Sequence, residues 1–328
     1  MTVSRVINRS GYVGDEVRRR VQEAIDRLDY SPNRLARSLK MKATRVIGVV
    51  LPDFGNPYSA ELARGIQEIL READYGCFLT SVDSTGSNEE AMLQTLCDHR
   101  VDGIIVATWH AGDDALHRLA SRHIPLVVIG REFEHAGVDR VAANDRAGGF
   151  AAVHHLAELG HRRIAFIGGS VAPQFQLPRC AGYLEALRAH QMAVDPDLVI
   201  PPIAGEKCIF ATQHDGHAGM QQLLRMRQPP TAVFARNDYT AMGALLAARE
   251  CGVAVPNGIS IIGFDNVPLS SFTAPPLTTV KQPIEEQGRE AATFLLKRIE
   301  SDEILERVER VFECQLVVRE STSHPARL

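Results

Sequence analysis

Residues 45–52 read RVIGVVLP, an apolar run that opens after a basic residue and stops at a proline. Unbroken β-branched runs bounded by Gly, Pro or Asp mark strands buried on both faces, as in parallel sheets covered by helices. The pattern returns at 76–82 (GCFLTSV), 101–107 (VDGIIVA), 124–130 (IPLVVIG), 162–169 (RRIAFIGG), 231–238 (TAVFARND) and 259–266 (ISIIGFDN). The intervening segments are long enough for crossover helices, so the spacing predicts an α/β fold of doubly wound parallel sheets. One series ends near Asn144 and the other begins near Arg162, which predicts two similar lobes with a cleft between them. In such sheets ligands bind beyond the carboxyl ends of the strands.

The chain has 328 residues, 45% hydrophobic and 23% charged. That is ordinary globular composition, and no apolar run approaches the roughly 20 residues that span a bilayer. No membrane partner is expected. Cys77, Cys97, Cys180, Cys208, Cys251 and Cys314 are scattered without a CxxC pair. Together with an N-terminus that lacks a signal-peptide pattern, this predicts buried, reduced thiols in a cytoplasmic protein. Charge is uneven. Residues 1–45 hold eleven Lys and Arg against five acids, a balance of +6, so the remainder of a chain of net charge −4 carries −10. A basic head on an acidic body points to a polyanionic partner for the head alone.

Within the head, Val3, Val6 and Ile7 share one face of a short helix and Met1, Arg5 and Asn8 the other, with Gly11 as its stop. A second helix over 15–28 aligns Val17, Val21, Ala24, Ile25 and Leu28, with acids in its first turn. Ser31 and Pro32 then open a third helix of only about eight residues, too short to be stable in water without a partner.

Seven strings in register, TVSRVIN (2–8), YSPNRLARSL (30–39), IGVVLPD (47–53), GHRRIAFIGG (160–169), PTAVFARND (230–238), ISIIGFDN (259–266) and PPLTTVKQP (275–283), resemble the LacI family of bacterial transcriptional regulators. The body of that family is similar to type I periplasmic sugar-binding proteins. The resemblance implies a homodimer that binds a pseudopalindromic operator and changes its grip on DNA when a small metabolite enters the cleft. It also implies a division into a partial helix-turn-helix head (1–30), a hinge helix and linker (31–45), a first lobe (46–144 with 282–303), a second lobe (145–281 with 304–321) and a tail (322–328). The chain would then cross between lobes near Asn144, Gln282 and Glu303. By this resemblance TVSRVIN is the recognition helix, and the helix expected before it is missing, so a truncated start is expected.

Arg5 faces outward and can donate two hydrogen bonds to a guanine edge or clamp a phosphate; Thr2, Ser4 and Asn8 are compact hydrogen-bonding groups suited to phosphates or base edges. In the hinge helix, the resemblance makes Leu39 a wedge entering a minor-groove step and Ala36 the small residue that lets two hinge helices meet, with Asn33, Arg34 and Arg37 against phosphates.

At the expected cleft the strand ends carry polar and aromatic groups that a fold alone does not require. These include Asp53, Phe54, Asn56, Tyr58, Trp109, Arg131, Asn144, Asp145, Arg179, Asn237, Asp238 and Asp265. Guanidinium, carboxylate and amide groups beside aromatic rings suit a polyhydroxylated ring. Sugar-binding members of the family use the positions matching Arg179, Asn237 and Asp265. Asp238 reads better as a helix cap than as a ligand contact, and Arg131 as either a site residue or half of a surface ion pair. Pro173 and Phe175 stand where purine-responsive relatives carry Arg and Thr, so a sugar or sugar derivative is expected rather than a purine, with Phe175 among its contacts. Helices over 56–70 and 89–100 are expected to pack the dimer.

No HExxH, GxSxG or GxxxxGK[ST] string occurs. An enzyme is not expected, nor a metal or cofactor. The competing reading is a sugar-binding sensor or solute-binding protein without DNA-binding activity.

Overall fold

The computed structural model describes residues 2–7, 11–28, 43–82, 87–108, 114–122, 124–171, 177–203, 205, 211–301, 303 and 305–326. They divide into two compact units, residues 1–45 and 46–328.

In the first unit, α1 (Thr2–Ile7) and α2 (Asp15–Arg27) are joined through Gly11, whose φ of +70° is the left-handed conformation a helix stop needs. Val6 and Val13 are buried. The predicted apolar face of α2 is only partly covered: Val21, Ala24 and Ile25 are half-buried, and Val17 and Leu28 are exposed.

The second unit contains two six-stranded sheets. The first runs in the order β2 (Gly76–Ser81), β1 (Val46–Leu51), β3 (Gly103–Val106), β4 (Leu126–Ile129), β5 (Val138–Ala143), β11 (Glu309–Phe312), every pair parallel. The second runs β7 (Val199–Ile200), β6 (Ile164–Ile167), β8 (Ala232–Ala235), β9 (Ser260–Asp265), β10 (Thr278–Lys281), β12 (Gln315–Val317), parallel except for the antiparallel edge strand β12. The apolar run at residues 45–52 contains β1. Its Ile47, Val49, Val50 and Leu51 are fully buried, as a strand covered on both faces must be.

Helices sandwich each sheet. In the first lobe, α3 (Pro57–Glu72) and α10 (Ile284–Glu300) supply the core of one face, and α4 (Glu89–Asp98) and α5 (Asp114–Ser121) that of the other. In the second lobe, α6 (Asp145–Glu158) and α7 (Pro178–Ala189) cover one face, and α8 (Gln213–Leu224) and α9 (Asp238–Glu250) the other. Helix neighbours meet backbone to backbone at paired glycines. A Cβ on Gly65 of α3 would stand 2.1 Å from the Glu285 carbonyl of α10, and one on Gly288 of α10 would stand 2.5 Å from the Leu62 carbonyl. Gly149 with Gly182 joins α6 to α7 in the same manner, and Gly216 with Gly243 joins α8 to α9.

The chain passes between the sheets after β5, after β10 and after β11. The third passage corrects the expected one near Glu303. Residues 305–312 stay with the first sheet, because Arg298 of α10 donates to the Leu305 and Glu306 carbonyls, Asp139 of β5 accepts from the Val308 N–H, and β11 then pairs with β5. The crossing lies at Glu313–Cys314. Among the described cysteines, Cys180 is buried but Cys251 is exposed, against the expectation of uniformly buried thiols.

Candidate functional site

On the head, Thr2 and Arg5 lie on α1 and are exposed, and Ser4 lies on the same helix. Asn8, Asn33, Arg34, Ala36, Arg37 and Leu39 lie outside the described residues, as do Trp109 and Phe175 of the expected cleft.

A cleft opens between the lobes at the carboxyl ends of the strands. Pro52, Asp53, Asn56 and Tyr58 line it from the first lobe, and Asp145, Leu177, Pro178, Arg179, Ala211, Arg236, Asn237 and Asp265 from the second.

Arg179 is its centre. From the first turn of α7 its Nη1 donates to the Arg236 carbonyl at 2.8 Å and lies 3.0 Å from Asp265 Oδ1; its Nε lies 3.3 Å from Asp145 Oδ2. The guanidinium stacks over Phe264 at 3.8 Å, a cation–π contact that fixes its plane. Burial opposes the charge, but Asp145 and Asp265 outweigh it and keep the group protonated. Asp265 ends β9 with φ +110°, and Asn266 follows at +58°. Such backbone costs of order 1–3 kcal/mol per residue and persists only where its surroundings over-determine it. Here Arg319 supplies that support, donating to Asn266 Oδ1 at 2.6 Å and to the Leu277 carbonyl at 2.7 Å. Asp265 also accepts from Gln282 Nε2 at 2.6 Å. Burial pushes its carboxyl up to about 6, with Arg179 and Gln282 opposing the rise. Buried Tyr58 is held as a neutral phenol by burial, with Asp265 and Asp145 adding to the effect.

Three of the helices reaching the cleft begin on asparagine. Asn56 accepts from the Tyr58 N–H, Asn144 from the Ala147 N–H and Asn237 from the Thr240 N–H. Asn237, not Asp238, therefore caps α9. Asp238 is wholly buried, accepting from Thr279 Oγ1 and the Val267 N–H, and burial followed by Asp265 raises its pKa well above the usual carboxylate value.

The cleft thus gathers Asn56, Tyr58, Arg179, Asn237 and Asp265 from the expected set, along with Asp53 and Asp145. Three expected residues stand elsewhere. Phe54 is exposed outside the lining, because the turn that joins β1 to α3 aims Asp53 and Asn56 inward instead. Arg131 is buried against Glu89 at 3.1 Å, and Glu89 also accepts from Thr108, so the pair is internal rather than on the surface. Asn144 caps α6 from outside the lining, whereas Asn56 and Asn237 cap their helices within it. Arg236 was missed, although its place directly after β8 and beside Asn237 is the strand-end position that carries ligands in such sheets. Among the described residues no group of three or more His, Cys, Asp or Glu could hold a metal ion, and no helix is long and apolar enough to cross a membrane.

Residues 1–33 match the family of bacterial regulatory proteins of the lacI type, and residues 153–322 match a periplasmic binding protein-like domain. The HTH-type transcriptional regulator DegA of Bacillus subtilis (strain 168) is 37% identical over 294 residues, 88% of this chain and 84% of its own. The chain belongs to the LacI family. The HTH-type transcriptional repressor PurR of Aliivibrio salmonicida (strain LFI1238) is 32% identical over 323 residues, 98% of this chain and 94% of its own. Among solved structures, a LacI family transcriptional regulator from Enterococcus faecium with bound ribose superposes with a TM-score of 0.75 at 32% identity, over 85% of this chain and 99% of that one. The lac repressor dimer bound to operator and the anti-inducer ONPF does so at 0.83 and 26% identity, over 98% and 94%. These relatives are transcriptional regulators, not enzymes, and the chain is a regulator with a DNA-binding head and an effector-binding body.

Proposed function

We propose that this regulator is a cytoplasmic homodimer that binds a pseudopalindromic operator and alters its DNA affinity when a sugar or sugar derivative enters the cleft. The observation that carries the reading is the Arg179 fork, fixed by Asp145, Asp265 and the Arg236 carbonyl in the interlobe cleft. Carboxylates and amides around a planar donor accept and donate to vicinal hydroxyls, and ribose bound to a 32% identical relative supports the ligand class. The lac repressor dimer on operator supports the assembly. In that assembly α3 and α4 pack across the subunit boundary, helped by Phe78 and Leu79, exposed on edge strand β2, and by Phe272 of the second lobe, 83% exposed. Arg5, Thr2, Ser4 and Asn8 meet the major groove, Leu39 and Ala36 the minor groove, and Asn33, Arg34 and Arg37 phosphates. Three interlobe passages give the lobes freedom to close, and linkage requires only that ligand bind the open and closed states unequally.

The test selects duplexes from a randomised palindromic pool with the full chain across a salt series, then adds ribose and other sugars to the selected duplex. Sequence selection, a steep salt slope and a sugar-dependent change in affinity support the reading. A chain that binds sugar but selects no duplex is a sensor acting without DNA.

A further inference from the structure

The electrostatics of the cleft restrict what it can accept. Its described lining carries three carboxylates, Asp53, Asp145 and Asp265, against two guanidinium groups, Arg179 and Arg236. Arg179 and Arg236 are the groups an anion would seek, and the Nε and Nη1 of Arg179 are already directed at Asp145, Asp265 and the Arg236 carbonyl. A phosphate arriving there would compete with two carboxylates that the fold holds within 3.3 Å of the guanidinium, without displacing either.

Helix N-termini are the other common anion receptors, through free first-turn N–H groups and the positive end of the macrodipole. Here three of them are capped. The caps of α3, α6 and α9 occupy N–H groups of Tyr58, Ala147 and Thr240, and Asp145 adds a carboxylate to the first turn of α6. The helix α7 starts on Leu177–Pro178 without a side-chain cap, but Asp145 and Asp265 already place two carboxylates on the guanidinium of Arg179 in its first turn. What the lining offers is acceptor capacity, carboxylate oxygens that call for hydroxyl or ammonium donors.

We propose that the cleft selects a donor-rich ligand without an anionic group, taking the neutral form of a sugar and rejecting its phosphate and its uronate. This deepens the effector reading above and rests on it.

Calorimetry on the full chain at fixed ionic strength compares each of several aldoses with its 6-phosphate and its uronate, while thermal unfolding is followed with inorganic phosphate and across a general metabolite panel. The expected result is at least about tenfold weaker binding of each acid than of its neutral parent, with no protection by inorganic phosphate. Acid and neutral forms binding alike, or protection by phosphate, overturns the proposal. If no sugar binds in any form, the sugar reading fails, and the charge rule is then decided by the panel: an anionic metabolite as the best stabiliser overturns it, whereas stabilisation confined to uncharged or cationic compounds sustains it. Asp145→Asn supplies a second readout. Removing one carboxylate should narrow the gap between neutral and phosphorylated sugar, and an unchanged or wider gap contradicts the electrostatic basis.

Discussion

Arg179 Nη1 lies 3.0 Å from Asp265 Oδ1, and the same carboxylate oxygen accepts from Gln282 Nε2 at 2.6 Å. One atom therefore joins the strand end of the second lobe to the passage leading back into the first. Gln287 of α10 extends the chain by donating to Gln282 Oε1 at 3.0 Å. A ligand that pulls on Asp265 acts on a hydrogen-bonded line into α10.

Acidification should weaken ligand binding. The Asp265 carboxyl, pushed up to about 6 by burial, takes a proton in the folded state before it does so unfolded. Its contribution to stability is therefore greatest at low pH and is lost as pH rises from about 4 through about 6. Ligand affinity runs the other way, because a neutral carboxyl no longer anchors Arg179. Calorimetry should show affinity falling by up to about tenfold per pH unit below about 6, and a flat profile there means that Asp265 does not titrate in this window.

Replacing Arg179 with lysine should abolish specific binding rather than soften it. A point charge cannot serve Asp145, Asp265 and the Arg236 carbonyl together, nor stack on Phe264. Isothermal titration should register a loss of at least about tenfold, since 1.4 kcal/mol of lost contact is a factor of ten. An affinity within twofold of the parent would remove Arg179 from the site.

Gly65→Ala should destabilise the first lobe. Its Cβ would stand 2.1 Å from a backbone carbonyl of α10, which moves only if the helices part. Overpacking of this kind costs about 1–3 kcal/mol, read as a lower midpoint in denaturant unfolding. Gly205→Ala, where nothing lies within 4 Å but φ is +90°, separates strain in a loop from collision between helices.

Arg298→Ala should be costlier than a surface ion pair suggests. Arg298 donates to both Asp139 oxygens, and the Asp139 side chain is only 4% exposed. Removing the cation leaves a buried carboxylate, a loss of about 3–5 kcal/mol. It should also loosen the 305–308 segment, which hydrogen exchange would detect. Protection unchanged from the parent contradicts the role given to Arg298 in holding β11 to β5.

In the hinge, Leu39→Ala should weaken binding to a selected operator far more than binding to arbitrary duplex, because a wedge matters only where the groove is opened. Anisotropy titrations on both duplexes decide this; equal losses remove the wedge.

Most strands readable from sequence were those buried on both faces; β2 was readable as an apolar run too, but it lies at a sheet edge and is only partly covered. β1, β3, β4, β6, β8 and β9 are short apolar runs with few alternatives, whereas β11 is mostly exposed at a sheet edge and β7 has two residues, too little pattern to read. The cleft was legible as a set of strand-end positions but not as directions of side chains. Arg131 reads as a ligand residue until Glu89, 42 positions earlier in the chain, is seen to claim it. In the sequence Asp238 reads as the cap of its helix and Asn237 as a ligand residue. Packing separates them, since Gly263 leaves room for the Asp238 carboxylate against β9 and Thr279 meets it there. Arg236 had a signal in its place after β8, but a residue whose carbonyl and side chain both serve the site looks ordinary in the text of the chain.

The most direct test of the account is the affinity of the full chain for its selected operator with and without a saturating sugar, beside Arg179→Ala. Effector coupling in such systems typically changes affinity by about 5–150-fold. The account predicts a shift of that size in the parent and none in the variant, with both binding operator alike when no sugar is present. An operator affinity that stays constant while sugar fills the cleft of the parent protein would contradict it.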